Sequence, residues 1–138
     1  MYYANPSSAT AAFILNEKEE LLVVRRAKEP SKDTLDLPGG FVDIGEDIEQ
    51  GMRREIMEET GLSVERLHYL FSIPNRYEYS GMTIHTLDMF FQAEVPSDAV
   101  PHADDDAAEL MWVPIAQLNP QDFGLRSIRQ AVEKFVNS

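Results

Sequence analysis

Residues 46–61 read Glu-Asp-Ile-Glu-Gln-Gly-Met-Arg-Arg-Glu-Ile-Met-Glu-Glu-Thr-Gly, and three glutamates, Glu55, Glu58 and Glu59, fall within about one helical turn beside Arg54. Ile48, Met52, Glu55 and Glu59 recur at i, i+4, i+7 and i+11, the spacing of a core-facing stripe, with Ile56 flanking it and Glu58 at its edge. Solvated acids belong opposite an apolar stripe, whereas Glu55 and Glu59 continue this one. Like charges four residues apart on a helix repel by about 0.2–0.5 kcal/mol even in water, and by far more where water is scarce. Two readings follow. One is a helix face braced by ion pairs, since Arg54 precedes Glu58 by four residues. The other is a cluster of hard oxygen donors, the ligand type that Mg²⁺ and Mn²⁺ prefer. Arg54 can satisfy one acid, so a further cation is expected.

The elements that must position these acids can be read along the chain. Residues 8–15 and 21–26 are short apolar runs rich in strand formers, and the polar stretch 16–20 between them predicts a hairpin. Leu37-Pro38-Gly39-Gly40 predicts a special backbone, because proline fixes φ and glycine admits conformations that other residues avoid. A helix is expected over 47–60, with Asp47 as N-cap and Gly61 closing it. Strands are expected over 64–73, 84–95 and 109–113, with a turn at Ser80-Gly81 and an acidic loop over 96–108. Leu125, Ile128, Val132, Phe135 and Val136 form one stripe of a terminal helix. Strands, helix, strands, helix in that order predict an α+β fold, an α/β/α sandwich around a mixed sheet, in one domain over residues 1–138.

Composition narrows the chemistry. The 138 residues carry a formal net charge of −12, and no Lys/Arg cluster exceeds the pairs Arg25-Arg26 and Arg53-Arg54. A nucleic-acid polymer needs a basic face, so it is not expected as a partner. A phosphorylated small molecule would need cations to bridge it to the acids. No apolar run approaches the ~20 residues of a membrane span, and no basic residue precedes the first apolar run as in a secretory signal. The chain has no cysteine, which excludes disulfides, thiolate zinc sites and cysteine nucleophiles and agrees with a cytoplasmic location.

Gly40, Glu46 and Arg54-Glu55-Ile56-Met57-Glu58-Glu59-Thr60-Gly61-Leu62 together resemble the signature of the Nudix hydrolases. That signature is Gly, five residues, Glu, seven residues, then Arg-Glu-U-x-Glu-Glu-x-Gly-U, where U is bulky and aliphatic. Every fixed position matches. LLVVRR and LDLPGGFVD before the helix, and AAELMWVPIAQL after it, extend the resemblance over most of the chain. The resemblance implies metal-dependent cleavage of a phosphoanhydride in a nucleoside diphosphate linked to another group, such as ADP-ribose, a sugar nucleotide or a dinucleotide. It implies Glu55, Glu58 and Glu59 as ligands of Mg²⁺ or Mn²⁺, joined by the carbonyl of Gly39. Arg54 would orient a signature glutamate, and Glu46 would support it. Gly39 and Gly40 would let the backbone approach the metal-bound phosphate. The general base would be a signature glutamate such as Glu58, or an acid of the loop 102–109, with Asp105 and Asp106 foremost beside Asp104 and Glu109. A homodimer follows from family habit alone.

Substrate contacts are less sharply marked. Arg25 and Arg26 end a strand that leads toward the signature loop, and alternation should turn one toward a phosphate and the other into solvent. Arg76 could hold a phosphate and Tyr79 could stack on a base, although tyrosines two apart, Tyr77 and Tyr79, equally suit one face of a strand. His68, His85 and His102 read as solvated, and Trp112 as core. Tyr79 lies about where the diadenosine polyphosphate subgroup carries a tyrosine. The proline of the ADP-ribose subgroup has no counterpart, because Pro74 comes too early, and the NADH diphosphatase tail is absent. LPGGFVD and YYANPSSATAAFIL nevertheless resemble bacterial members of the ADP-ribose or NADH pyrophosphatase-like kind, without the zinc ribbon that some of those carry. Two alternatives stay open: a house-cleaning nucleoside triphosphatase, and a nucleotide-sensing module without catalysis.

Overall fold

The computed structural model describes residues 5–96, 98–103 and 109–138, with Tyr77 and Tyr79 described by their backbone only. Strand β1 (Ser7–Leu15) occupies the middle of the sheet and accepts partners on both edges. It pairs antiparallel with β2 (Glu20–Arg25) and parallel, over its full length, with the later strand β6 (Met82–Glu94). Two short strands, β3 (Leu35–Asp36) and β4 (Gly39–Phe41), pair with β2 and β1 respectively. β5 (Arg66–Tyr79) forms the edge beyond β6, and β7 (Glu109–Pro114) pairs with β2.

Alternation along β1 divides the core in two. Phe13 and Ala11 face one side of the sheet with Leu21, Val23 and Phe90, and helix α2 (Arg126–Val136) covers that side with Ile128, Ala131 and Val132. Ala12 and Ile14 face the other side with Leu22 and Phe91, and helix α1 (Ile48–Thr60) covers it with Met52 and Ile56. Each of these large side chains is almost fully buried, which favours folding by about 1.5–3 kcal/mol per residue. The predicted sandwich is therefore present: helices on both faces of a mixed sheet.

The ends of α1 are fixed by local chemistry. The Asp47 side chain accepts the N–H of Gln50, and the Gln50 side chain accepts the N–H of Asp47, which completes a capping box. Gly61 closes the helix in the left-handed region at φ 71°.

Two expectations change. The strand predicted to stop at residue 73 runs to Tyr79, and its partner starts at Met82 rather than residue 84. The strand continues through Pro74 because β5 is an edge strand, where proline costs no interior ladder bond. A bulge between Tyr69 and Phe71 takes up the register shift, and Ser80 and Gly81, both at positive φ, form the connecting turn. Secondly, Gly39 and Gly40 are not in a glycine-only conformation. They are strand residues, and what they supply is room, as the site shows.

Candidate active site

α1 buries Met52, Ile56 and Thr60 as its core line, and Glu55 and Glu59 lie along the flank of that line, facing β4. The space they occupy exists because β4 is glycine there. A Cβ on Gly40 would lie 2.5 Å from the carboxyl carbon of Glu55. The N–H of Gly39 donates to Glu59 Oε2 at 3.1 Å. A Cβ on Gly39 would collide with the carbonyl oxygen of Thr10 on β1. These two glycines let strand and helix approach closely enough for backbone to meet carboxylate.

Arg54 is the hub of the acids. Its Nε donates to Glu46 Oε2 at 2.7 Å and its Nη2 to Glu46 Oε1 at 3.0 Å, a two-pronged pair. Nη1 lies between two more carboxylates, 2.9 Å from Glu55 Oε1 and 3.1 Å from Glu58 Oε2. Nη2 also donates to the carbonyl of Phe41 and so ties helix to loop. Glu46 Oε1 in turn accepts the N–H of Asp43. With Asp43 Oδ2 3.4 Å from Nε, Arg54 thus gathers four acids, where the sequence reading assigned it one.

Electrostatics separates the acids. Hydrogen bonds from Arg54 hold the Glu46 carboxyl below its usual range. Burial raises that of Glu55, against the pull of Arg54. Burial pushes Glu59 up to about 8, because a single backbone N–H partly offsets it while Glu55, Asp36 and Glu58 add repulsion. Among the described residues no Lys or Arg pairs with Glu59, and Glu58 is largely exposed with one oxygen on Arg54. Hard oxygen donors on a negatively charged, partly dehydrated face are the chemistry that a divalent cation satisfies. As they stand, no three acidic or histidine side chains among the described residues already enclose an ion position, and Arg54 Nη1 lies between Glu55 and Glu58. The residue types fit a hard dication, which would also relieve the charge on Glu59.

On its other flank, the Gly39–Gly40 strand lines a cleft of about 490 Å³. The walls are mostly apolar, with Ala11, Leu37, Phe41, Ile84, Leu125 and Ile128. Arg26 lines the cleft with its Nη1 2.7 Å from Asp36 Oδ2, while burial raises the Asp36 carboxyl. Arg25 points elsewhere, toward the Asp33 carbonyl and Glu109, so alternation does separate the two arginines. Arg76 is exposed on β5 and is not among the lining residues. The side chain of Tyr79 and the acids Asp104, Asp105 and Asp106 lie outside the described residues. His102 donates its backbone N–H to the Thr60 carbonyl, beside the end of α1. Trp112 is partly buried against the α1-side core.

Sequence reasoning passed over Asp36, Glu78 and Asp88, which all line the cleft. For Asp88 there was a signal: a lone acid inside the apolar run Met89-Phe90-Phe91 and Leu87.

A family model described as the NUDIX domain matches residues 5–135. The chain belongs to the NUDIX domain family. Among curated relatives, this NUDIX chain is 35% identical over 109 residues to an ADP-ribose pyrophosphatase of Methanocaldococcus jannaschii, covering 78% of this chain and 61% of that protein. It is 30% identical over 111 residues to the NAD-capped RNA hydrolase NudC of Salmonella heidelberg, covering 80% of this chain and 40% of that protein. The chain thus spans roughly two-fifths to three-fifths of the length of these relatives. Among solved structures, a MutT NUDIX hydrolase from Burkholderia pseudomallei superposes with TM-score 0.78 at 27% identity, covering 94% of this chain and 97% of that one. The NUDIX domain of Shewanella oneidensis NrtR, complexed with ADP ribose, superposes with TM-score 0.76 at 19% identity over 98% of this chain and 89% of that one. At that identity it speaks to the fold alone. No helix among the described residues is long and apolar enough to cross a membrane.

Proposed function

We propose that residues 1–138 form one NUDIX domain that hydrolyses the phosphoanhydride of a nucleoside diphosphate linked to a second group, with Mg²⁺ or Mn²⁺ as cofactor. The observation that carries this reading is the half-buried Glu59 beside Glu55, with no Lys or Arg paired to it among the described residues, backed by the Arg54 hub and set across the Gly39–Gly40 strand from the cleft. ADP-ribose heads the candidate substrates, because a relative at 35% identity is an ADP-ribose pyrophosphatase. Sugar nucleotides and dinucleotides follow.

Glu55, Glu58 and Glu59 would hold the ion, with the Gly39 carbonyl as a further donor. Bound there, it would neutralise the pyrophosphate oxygens and lower the pKa of a coordinated water. The chain supplies the rest. Arg54 fixes Glu55 and Glu58 against the repulsion between them. Glu46 and the Phe41 carbonyl hold Arg54 in place. The missing side chains of Gly39 and Gly40 let the pyrophosphate approach the backbone. A carboxylate takes the proton from the attacking water. Glu58, exposed and with one oxygen free of Arg54, is the described candidate, and Asp105 and Asp106 are the alternatives. Arg26, rather than Arg25, is placed to meet the substrate in the cleft.

Hydrolysis of ADP-ribose, a dinucleotide, a sugar nucleotide and 8-oxo-dGTP, with Mg²⁺ and with chelator, tests the reading. Metal-dependent release of AMP from ADP-ribose or the dinucleotide is expected. Turnover of the triphosphate alone would favour a house-cleaning enzyme. Tight binding with no turnover of any substrate would favour a sensor.

A further inference from the structure

Asp88 lies in the middle of β6, 5% exposed, at the floor of the cleft. Its carboxylate is held by neutral donors. Thr86 Oγ donates to Oδ1 at 2.8 Å, Ser127 Oγ donates to Oδ2 at 2.7 Å, and the Asn75 amide approaches Oδ2 at 3.5 Å while also donating to Ser127 Oγ at 3.1 Å. Among the described residues no Lys or Arg pairs with it. A buried carboxylate without a cation is costly and contributes little to stability. A carboxylate has about four acceptor positions, and among the described residues Oδ1 receives a single hydrogen bond. This leaves an acceptor, held by three elements, at the floor of a mostly apolar cleft.

The remaining polar groups of the cleft share that sense. Asp36 and Glu78 add two more carboxylates. Arg26, the one guanidinium among the described lining residues, is already engaged by Asp36 through Nη1 and by the Pro30 carbonyl through Nε. Thr10 has donated its hydroxyl proton to the Gly40 carbonyl. A phosphate seated on this floor would face Asp88, with the paired Asp36 and the exposed Glu78 also along the lining. An uncharged ring carrying N–H or O–H donors would meet apolar walls and a waiting acceptor.

We propose that this cleft seats the uncharged, hydrogen-bond-donating end of the substrate, a base amino group or a sugar hydroxyl, with Asp88 as its acceptor, and that it thereby disfavours substrates that would place a phosphate there. The proposal rests on the nucleotide reading above and deepens it.

The test compares wild type with Asp88→Asn, which keeps size while replacing one acceptor oxygen with a donor, and with Ser127→Ala as a second variant that loosens Asp88 without touching the cleft floor. Four ligands are used: ADP-ribose, its hypoxanthine counterpart, the methyl ester of ADP, and inorganic pyrophosphate, which carries neither base nor sugar. Affinity is measured by calorimetry with Ca²⁺, and KM and kcat with Mg²⁺. The expected result for Asp88→Asn is a rise of about tenfold or more in Kd and KM for ADP-ribose, with kcat within about twofold and pyrophosphate affinity unchanged. Ser127→Ala is expected to show the same pattern, less strongly. A loss shared by the methyl ester but weak for the hypoxanthine compound places the base amino group on Asp88. A loss confined to ligands that carry the second sugar places a sugar hydroxyl there. An equal fall for pyrophosphate, or no change for ADP-ribose, overturns the proposal, and a drop in thermal midpoint matching the loss for every ligand marks Asp88 as structural only. If wild type binds ADP-ribose in an Asp88-dependent way but cleaves nothing, the hydrolase reading fails and this one stands.

Discussion

On one flank of the Gly39–Gly40 strand a guanidinium gathers Asp43, Glu46, Glu55 and Glu58, and among the described residues Glu59 meets one backbone N–H. On the other, Asp88 is held by two hydroxyls and an amide. Both regions hold carboxylates away from water, yet their compensation differs in kind. The α1 cluster has several acids sharing one cation, so negative charge remains that only a further cation can balance. The Asp88 network satisfies a single acid with neutral donors, so what remains is acceptor capacity. One region is built to take an ion, the other a polar, uncharged group. The boundary between them is two residues without side chains.

The comparison is broken most directly at Glu59. Glu59→Gln should lower kcat by about 100-fold or more with the fold intact, since it removes a charged donor from the cluster without changing its size. Circular dichroism and steady-state kinetics check both halves, and wild-type turnover would remove Glu59 from the ion's surroundings.

The glycines come next. Gly40→Ala places a methyl against the movable end of Glu55, so activity should fall by roughly tenfold with little change in thermal midpoint. Gly39→Ala pushes against the Thr10 carbonyl in β1 and should cost about 2 kcal/mol or more of stability. If denaturant unfolding shows the two variants equally destabilised, the boundary is merely structural.

A gentler probe is pH. Glu59 has its folded-state pKa raised to about 8 by burial, from 4.5. The native chain therefore holds a proton that the unfolded chain has released. This contribution is fully present below the unfolded value and is lost as pH rises through about 8. Glu55 and Asp36 are shifted in the same sense. In chelator, the thermal midpoint should fall between about pH 5.5 and 8.5, by a free energy on the order of a few kcal/mol. Glu59→Gln should flatten that slope, and saturating Mg²⁺ should reverse it. A metal-free midpoint that rises over the same range would contradict the burial of Glu59.

The smallest effect is expected at the arginine pair. Arg26→Ala should raise KM by about tenfold, since it opens the cleft wall and leaves Asp36 unpaired. Arg25→Ala, which loses only an exposed pair with Glu109, should change kinetics by less than about twofold.

Much of this was written in the linear order of residues. The period of α1, its Asp47 and Gly61 ends, the placing of Glu55, Glu58 and Glu59, and the two-sided core follow from spacing and caps, which are local physics. The length of β5 was not legible, because Pro74 forbids an interior strand and only the sheet order reveals an edge. The use of Gly39 and Gly40 was misjudged for the same reason: a glycine chosen for φ and one chosen for space look alike until the neighbour is known. Asp36 and Asp88 are 52 residues apart by position and meet only because β1 pairs with β6 on one edge and β2 carries β3 on the other. The sequence by itself determined that a charged cluster would form on α1, since a helix brings residues three and four apart together wherever it lies. Only the tertiary structure decided which acids lost water, and what cleft they faced, because desolvation is set by neighbours from distant strands.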